Sequence, residues 1–275
     1  MKTPRTPTHP ASSQKVFNYP PAVEHATIEG VSTTEKNPMP RNSARSRASL
    51  DKKTGDIAAM FDTVAHRYDL MNGILSLGQH LRWRKHTVAA VEAHPGQKIL
   101  DVAAGTGTSS EPFADAGVDV IAADLSEGML EVGRKRRPDM TFVQADVTNL
   151  PFSDSTFDVV TMSYGLRNVA DYPKALRELY RVTKPGGRIV VLEFSTPTFA
   201  PFGKVYKKYI MQAIPPVARA ISSNPESYEY LAESIIAWPN LAQEFARAGW
   251  RDVKYRNLSG GIVAIHRGFK LAEPN

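Results

Sequence analysis

Residues 99–108 read ILDVAAGTGT, a short apolar segment that runs into a turn with glycine at positions 105 and 107. The apolar half is typical of a buried strand, and the glycines mark the turn into a following helix. In open α/β sheets, ligands bind at this kind of turn. Gly105 and Gly107 suit it because a side chain would block the approach of the backbone to a ligand, and because such turns often need positive φ angles.

The segments that follow this turn alternate between strand and helix patterns. Predicted strands cover Lys98–Ala103, Val118–Ala123, Thr141–Gln144, Phe157–Met162 and Arg188–Phe194, and predicted helices cover 109–116, Glu127–Arg137 and Lys174–Val182. This alternation predicts a Rossmann-like α/β fold, with a mostly parallel sheet and helices on both faces. Two late strands, Val253–Asn257 and Ile262–Phe269, flank Ser259-Gly260-Gly261 and predict an antiparallel strand at the sheet edge.

The chain is predicted to have one folded domain behind a basic extension. Residues 1–50 are rich in Pro, Ser, Thr, Lys and Arg and poor in large apolar residues, which is typical of a disordered segment. In the next segment, apolar residues recur at helical spacing, at Ile57, Met60, Phe61, Val64 and Tyr68. We predict a domain over 51–275, made of N-terminal helices (56–92), a cofactor-binding core (97–195), a helical substrate lid (199–248) and the edge hairpin (251–270).

The composition excludes several classes of function. The 275 residues contain no cysteine, so disulfides, a thiolate nucleophile and cysteine metal ligands are ruled out. No apolar run is long enough for a transmembrane helix or a secretory signal, so we expect a cytoplasmic protein. The net charge is +6, and residues 1–55 hold nine Lys or Arg against four Asp or Glu, which leaves about +1 for the rest. We therefore expect no nucleic-acid binding.

Three carboxylates stand at the ends of the predicted strands. Asp101 precedes the glycine turn, Asp124 ends the second strand, and Asp146 follows the third strand in the run QADVTNLPF. Because the carboxyl ends of parallel strands meet at one edge of the sheet, we expect these side chains to lie together. A carboxylate at Asp124 can accept both ribose hydroxyls of an adenosine, and Asp146 would lie near the adenine ring. Asp101 would orient the turn or contact an ammonium group of the cofactor.

The charge of this site distinguishes between nucleoside cofactors. A dinucleotide site needs a third glycine, as in GxGxxG, and here that position is Ser110. Asp101 would also repel a pyrophosphate. S-adenosylmethionine has no phosphate, and its amino and sulfonium groups are positive, so acidic residues favour it. An oxidoreductase is disfavoured by the missing glycine, and a non-catalytic binding module is disfavoured because the glycine turn and Asp124 are both kept.

The order of these motifs resembles the class I methyltransferases, and two longer stretches resemble the quinone C-methyltransferases of ubiquinone and menaquinone synthesis. Residues 68–83 read YDLMNGILSLGQHLRW and match the first family signature at Tyr68, Asp69, Met71, Asn72, Ser76, His80 and Trp83. Residues 181–195 read RVTKPGGRIVVLEFS and match the second at Arg181, Val182, Lys184, Pro185, Gly186, Gly187, Glu193 and Ser195. With the segments MSYGLRNV, SSNPESYEYLAESI and LSGGIVAIHRGFK, the resemblance covers roughly residues 56–270.

The resemblance is nearest to actinobacterial members that act in menaquinone synthesis, and it implies a reaction and a set of contacts. S-adenosylmethionine would methylate demethylmenaquinol to menaquinol in the last step of menaquinone biosynthesis. The implied cofactor contacts are Thr106, Asp124, the Asp146–Val147 pair and Ser163, beside Asp101 and the two glycines of the turn. A ubiquinone precursor or another phenol as the methyl acceptor stays open, because family members share these motifs.

Methylation of a ring carbon needs an electron-rich ring, which loss of a phenolic proton strengthens. A phenol has a pKa of about 10, so the enzyme must accept this proton or stabilise the phenolate, and no metal is needed. Arg167 is a candidate for phenolate stabilisation, with an ion pair at the sheet end as the alternative. His80 is a candidate base, with a structural role in the N-terminal helices as the alternative. Tyr164 is the third catalytic candidate and, with Tyr68 and Asn168, would line the quinol pocket.

The segment at residues 199–214, FAPFGKVYKKYIMQAI, separates apolar from basic side chains at helical spacing. One face carries Phe202, Val205, Tyr206, Tyr209, Ile210 and Ala213, and Lys204, Lys207 and Lys208 fall toward the other side. This pattern resembles an interfacial helix, and a helix packed on the core is the alternative. We expect peripheral contact at the inner face of the cell membrane, which Lys207→Glu with Lys208→Glu would abolish. The sequence leaves a homo-oligomer open.

Overall fold

The computed structural model describes residues 59, 61–62, 73, 76–199, 201–206, 208–209 and 241–272. The predicted extension at 1–50 lies outside these residues. So do Tyr68 and most of the predicted first helix and of the helical segment 199–248. Within the described residues, no helix is long and apolar enough to cross a membrane.

A single sheet of seven strands forms the centre of the molecule. The strands are β1 (Lys98–Val102), β2 (Asp119–Asp124), β3 (Thr141–Gln144), β4 (Phe157–Ser163), β5 (Thr183–Phe194), β6 (Arg251–Leu258) and β7 (Val263–Phe269). Their order across the sheet is β3-β2-β1-β4-β5-β7-β6. The first five strands pair in parallel, and β7 runs antiparallel to both β5 and β6. The predicted Rossmann-like sheet and its antiparallel hairpin at one edge are confirmed.

Helices cover both faces of this sheet. Those with described bounds are α1 (Gln79–Val91), α2 (Glu111–Asp115), α3 (Glu127–Arg136), α4 (Tyr172–Val182) and α5 (Leu241–Arg247). Adjacent strand residues belong to different buried clusters, because side chains alternate between the faces of a sheet. Val160 shares one cluster with Leu176 of α4, and Val159 shares the other with Trp83 of α1. Helices α1 and α4 therefore lie on opposite faces.

Helix α4 shows how the local sequence specifies its element. Asp171 caps the helix, since its carboxylate accepts a hydrogen bond from the Lys174 backbone N–H at 2.9 Å. The apolar residues recur at helical spacing and are all buried, at Ala175, Leu176, Leu179 and Val182. Burying a side chain such as Leu179 contributes roughly 2 kcal/mol, so this one face attaches the helix to the sheet.

Strand β5 is longer than the sequence pattern predicts. It begins at Thr183, five residues before the predicted start at Arg188. The prediction began too late because the run KPGG has the composition of a turn. Two contacts keep this run in the sheet. The Gly186 N–H donates to the Lys270 carbonyl at 3.0 Å, and Lys184 pairs with Asp158 at 2.9 Å. Gly186 has a φ of 79°, a conformation that glycine adopts without strain.

Candidate active site

The candidate cofactor residues meet at the carboxyl edge of the parallel strands. Asp101 lies within β1, Asp124 ends β2, and Ser163 ends β4, which pairs with β1 on the side opposite to β2. The strand order switches sides at β1, because β2 and β3 lie on one side of it and β4 and β5 on the other. Such a switch point opens the crevice in which α/β sheets bind ligands. The sheet thus places the residues predicted from separate strands at one edge.

The turn between β1 and α2 requires glycine at positions 105 and 107 for different reasons. Gly105 has a φ of 56°, and a Cβ built on it would meet no atom within 4 Å. Gly107 has a φ of 82°, and its Cβ would lie 2.6 Å from the Phe142 ring. The predicted positive φ angles are therefore present at both positions. Open space that a ligand can occupy is found only at Gly105, whereas Gly107 is needed for packing.

Asp101 is fully buried behind this turn. Its Oδ2 accepts hydrogen bonds from the hydroxyls of Ser109 at 2.7 Å and Ser110 at 2.6 Å. Its Oδ1 is buried and has no hydrogen-bond partner within the described part of the chain. Burial raises the pKa of Asp101 to about 6, against the lowering effect of the two serines. A buried, unpaired carboxylate oxygen is suited to an ammonium group.

Asp124 holds the turn from the neighbouring strand. Its Oδ2 accepts the Gly105 backbone N–H at 2.7 Å, and its Oδ1 accepts the Ser126 backbone N–H at 2.9 Å. Burial raises the pKa of Asp124, while these backbone hydrogen bonds lower it. Each carboxylate oxygen has a second acceptor site, so Asp124 is able to accept two hydroxyls in addition to the backbone.

The remaining predicted cofactor residues lie on two other loops of the same edge. The Asp146 Oδ1 accepts the Thr148 backbone N–H at 2.8 Å, which gives the loop after β3 a tight turn beside the buried Val147. Thr106 is also buried, and its backbone carbonyl accepts a hydrogen bond from Arg136 at 2.7 Å. Ser163 is partly exposed at the end of β4. The side chain of Thr106 therefore belongs to the packed interior, and its backbone to the loop.

Two arginines that the sequence patterns missed contact the glycine turn from two different helices. Arg136, at the end of α3, donates to the Thr106 carbonyl and forms an ion pair with Glu111 at 2.8 Å. Arg84, on α1, donates to the Thr108 hydroxyl at 3.1 Å. Charged residues on the exposed side of a helix carry no sequence signal for their partner. Only the ordinary preference for cations in a last helical turn marks Arg136.

Aromatic side chains surround the ends of β4 and β5. The Tyr164 ring lies 5.1 Å from the Phe194 ring and 6.4 Å from the Trp83 ring, between ring centres. The Trp83 indole N–H donates to the Ser259 hydroxyl at 2.8 Å, which connects α1 to the turn between β6 and β7. These rings form an apolar wall beside the cofactor edge, of the kind that holds a flat ring. Tyr68, the other tyrosine predicted for this pocket, lies outside the described residues.

Arg167 is buried in an ion pair. Its Nη1 lies 2.9 Å from Glu193 Oε1 and also donates to the Tyr164 carbonyl. The arginine side chain is 4% exposed, and Glu193 is fully buried. The guanidinium also lies over the Phe194 ring at 5.1 Å. The ion pair at the sheet end, which the sequence offered as the alternative to phenolate stabilisation, is thus present. The Arg167 Nε has no acceptor within the described residues.

His80 and Asn168 have neighbours that hold them in place. The His80 Nδ1 lies 2.8 Å from the Ser76 hydroxyl, which also accepts the His80 backbone N–H at 3.4 Å. This contact fixes the imidazole in the first turn of α1, in agreement with the structural alternative. The Asn168 side chain donates to the Tyr164 carbonyl at 3.5 Å. A catalytic role for either residue stays a prediction.

Comparison with known proteins assigns the chain to a family. The family model described as the ubiE/COQ5 methyltransferase family matches residues 48–270. The chain belongs to this family. The methyltransferase activity, the S-adenosylmethionine cofactor and the family resemblance predicted from the sequence are therefore confirmed.

Individual relatives of this methyltransferase match over most of their length. A protein of Renibacterium salmoninarum named demethylmenaquinone methyltransferase is 62% identical over 82% of this chain and 96% of its own. A protein of the same name in Streptomyces avermitilis is 61% identical over 82% of this chain and 98% of its own length. Another, in Mycobacterium tuberculosis, is 57% identical over 82% of this chain and 97% of its own length.

Solved structures support the fold of the methyltransferase. The S-adenosylmethionine-dependent methyltransferase of Thermotoga maritima, titled a possible histamine N-methyltransferase, is 22% identical and covers 78% of this chain and 99% of its own, with a TM-score of 0.59. The cyclase SpnF is 15% identical and covers 81% and 98%, with a TM-score of 0.56. Because these proteins differ in their named activities, the shared fold carries no information about the substrate.

Proposed function

We propose that this methyltransferase transfers a methyl group from S-adenosylmethionine to a ring carbon of demethylmenaquinol, which gives menaquinol and S-adenosylhomocysteine. This would be the last step of menaquinone biosynthesis. The observation that carries the proposal is the identity of 55–62% with relatives named demethylmenaquinone methyltransferase, over four fifths of the chain. The arrangement of the candidate site supports it independently on the cofactor side and on the substrate side.

The residues on the cofactor side fit S-adenosylmethionine. The unpaired Asp101 Oδ1 would accept its ammonium group, the open space at Gly105 would admit it close to the backbone, and Asp124 would bind its ribose. When bound, this cofactor supplies a methyl group on a positive sulfonium. The acidic side chains suit that charge, whereas they would repel the pyrophosphate of a dinucleotide.

On the substrate side, the described residues supply an aromatic wall and a buried donor, the Arg167 Nε–H. The rings of Tyr164, Phe194 and Trp83 would pack against the naphthoquinol and hold its ring carbon in line with the methyl group. The Arg167 Nε–H is buried without an acceptor within the described residues. Leaving such a donor unpaired costs about 1–3 kcal/mol, and an oxygen of the quinol would relieve this cost and be stabilised as it loses its proton.

His80 is the candidate acceptor for the phenolic proton, directly or through water. The Ser76 hydroxyl at 2.8 Å from its Nδ1 sets the orientation of the ring. A neutral imidazole has a basic ring nitrogen, so a histidine held in this orientation is chemically able to take the proton. Replacement of His80 by Asn would then lower kcat by about 100-fold or more while the affinity for S-adenosylmethionine is kept.

The test is methyl transfer from labelled S-adenosylmethionine to reduced demethylmenaquinone, with Asp124→Ala as the control. We expect the label in menaquinone with the natural chain and its loss with the variant. A ubiquinone precursor is offered in a parallel reaction. Label in that compound alone would redirect the proposal to the other branch of the family, and binding of the cofactor without labelling of any quinol would overturn the substrate assignment.

We also propose that the enzyme meets its prenylated substrate at the inner face of the cell membrane through the segment that begins at Phe199. Phe199 and Val205 are 65% and 67% exposed, and Lys204 and Lys208 are exposed beside them. Residues 201–206 are helical, as predicted, while the rest of the predicted face, Ile210 and Ala213, lies outside the described residues. Apolar and cationic side chains in one short segment are typical of interfacial binding.

A further inference from the structure

A second group of cations, separate in the chain from the segment at Phe199, lies on α1 and on strand β6. Arg82 and Lys85 of α1 and Arg256 of β6 are all exposed. The three surround His86, whose pKa is lowered first by partial burial and then by Arg256, Arg82 and Lys85. The charged side chains that act on this histidine are therefore all positive. Concentrated positive charge at one place on a surface attracts an anionic partner.

Exposed apolar side chains lie beside these cations. Leu77, in the turn before α1, is 78% exposed, and Leu81, in its first turn, is 58% exposed. A single exposed leucine is ordinary, but two within five residues, followed directly by Arg82 and Lys85, form a mixed apolar and cationic surface. We call the surface formed by Leu77, Leu81, Arg82, Lys85 and Arg256 the α1–β6 face.

The turn at Ser259–Gly261 connects the α1–β6 face to the apolar segment at Phe199. On one side, Ser259 accepts the Trp83 indole N–H at 2.8 Å, next to Arg82 in the chain. On the other side, the Phe202 ring lies against Gly260, 3.1 Å from where a Cβ would stand. Trp83 also belongs to the aromatic wall beside Tyr164. The two surfaces therefore flank the same turn, close to the proposed quinol pocket.

We propose that the α1–β6 face docks on an anionic lipid bilayer, with Arg82, Lys85 and Arg256 against lipid phosphates and Leu77 and Leu81 in the headgroup region. This inference rests on the proposed function, because a prenylated quinol has to be taken from a membrane. A lipid surface explains both features together. Phosphates complement the cations, and the boundary of the acyl region accepts leucine side chains that water disfavours. A soluble nucleic acid would use the cations and leave the leucines exposed.

The experiment measures binding of the full chain to phosphatidylcholine vesicles with and without phosphatidylglycerol, by co-sedimentation. The test variant carries Arg82→Gln with Lys85→Gln. Since each Lys or Arg near an anionic membrane contributes about fivefold in affinity, we expect about 25-fold weaker binding to the anionic vesicles. The matched control is Lys174→Gln with Arg177→Gln, one exposed lysine and one exposed arginine three residues apart on α4, on the opposite face of the sheet. It is expected to bind as the natural chain does.

Several outcomes overturn the docking surface. They are absence of binding to anionic vesicles by the natural chain, equal binding by the test variant, and an equal loss in the control. Binding to an RNA duplex in the same assay, in place of vesicles, would assign the cations to another partner. A short-tailed demethylmenaquinol in solution separates this inference from the proposed function. Methylation of it without vesicle binding rejects the surface alone, whereas vesicle binding without methylation of any quinol rejects the proposed function.

Discussion

The cofactor side and the substrate side of the candidate active site stabilise their buried charges in different ways. On the cofactor side, hydroxyls and backbone N–H groups hold Asp101 and Asp124, and no cation among the described residues pairs directly with either carboxylate. On the substrate side, the buried charges of Arg167 and Glu193 neutralise each other, and aromatic rings surround them. The carboxylates of the cofactor side are thus held without a direct ion pair among the described residues, while the two charges of the substrate side neutralise each other.

This difference fits the chemistry of S-adenosylmethionine and of the quinol that we propose as the substrate. Carboxylates that are only partly hydrogen-bonded are stabilised when a positive cofactor binds. Without the cofactor, burial raises the pKa values of Asp101 and Asp124. A quinol is neutral and apolar, so a neutral aromatic wall binds it without desolvating a free charge. Substitutions on the substrate side should therefore act first on stability, and those on the cofactor side first on cofactor affinity.

The largest effect is expected from breaking the buried ion pair. Glu193→Gln leaves the Arg167 guanidinium buried with its charge uncompensated, which costs about 3–5 kcal/mol of the free energy of unfolding. Urea unfolding of the variant beside the natural chain measures this loss. The double variant Arg167→Met with Glu193→Gln removes both charges and should regain most of the stability.

Activity of the double variant separates the two roles of Arg167. A pair that only supports the fold predicts recovery of methyl transfer together with stability. The proposed contact of the Arg167 Nε with the quinol predicts a stable double variant that stays inactive and still binds S-adenosylmethionine. Recovery of both properties would remove Arg167 from the catalytic candidates.

On the cofactor side, Asp124→Ala is expected to weaken S-adenosylmethionine binding by about 100-fold. The loss has two parts, the contacts to ribose and the support of Gly105 and Ser126, and hydrogen bonds to a charged group contribute about 1.5–3 kcal/mol each. Isothermal titration calorimetry measures it. Asp124→Asn keeps one acceptor oxygen and should fall between the alanine variant and the natural chain. An affinity unchanged in the alanine variant would move the ribose site elsewhere.

Much of the fold could be predicted because it depends on patterns that are local in the chain. The buried strands β1 to β4 are short apolar runs between turns, and their predicted bounds agree to within one residue at each end. The start of β5 was wrong because Gly186 in KPGG is a turn signal that long-range contacts with Lys270 and Asp158 override. Local composition has no information about such partners.

The site was predictable where strand ends place residues, and not where side chains cross between elements. Asp101 and Asp124 follow from their positions on adjacent parallel strands. Arg136 and Arg84 reach the glycine turn from helices distant in the chain, and no spacing indicates this. For the same reason the sequence explained Gly107 by a ligand, whereas the structure shows the Phe142 ring beside it.

The titration of a buried histidine in β7, the strand next to the edge strand β6, is expected to change stability away from both ligand sites. His266 of β7 is buried, and burial lowers its pKa from 6.5 to about 4. The unfolded chain therefore binds a proton before the folded chain does, so the free energy of unfolding decreases as the pH falls from 6.5 towards 4. By pH 5 the loss from His266 is about 2 kcal/mol. Replacement by Phe, which suits the adjacent rings of Tyr255 and Phe245, should remove it.

Comparing the unfolding free energies of the His266→Phe variant and the natural chain separates the contribution of His266 from that of Asp101. Asp101 acts in the opposite direction, because its raised pKa makes the folded chain bind a proton first as the pH falls through 6. Both proteins share that contribution, so the difference between their unfolding free energies at each pH belongs to His266. A difference that is constant between pH 7 and 5 would show that the histidine is not buried in its neutral form.

The protonation of Asp101 should change the affinity for S-adenosylmethionine as well as the stability of the fold. With a pKa of about 6 before the cofactor binds, the carboxylate is mostly ionised at pH 7 and mostly protonated at pH 5. An ammonium group prefers the ionised form, so we expect roughly tenfold weaker S-adenosylmethionine binding at pH 5 than at pH 7. Asp101→Asn should bind weakly with a flat profile. Asp124 also has a raised pKa, and any slope that remains in the Asp101 variant belongs to it.

The smallest effect is expected from Arg136, which donates to the Thr106 carbonyl of the turn and pairs with Glu111. Arg136→Ala removes that hydrogen bond and the ion pair with Glu111, so the loop loses a support without losing a ligand group. We expect about fivefold higher KM for S-adenosylmethionine with kcat unchanged, since one hydrogen bond contributes about 1 kcal/mol. Arg136→Lys keeps the charge and one donor and should recover part of the loss. A change in kcat instead of KM would mean that the loop positions the methyl group itself, and the division between a binding half and a reacting half would then fail at this residue.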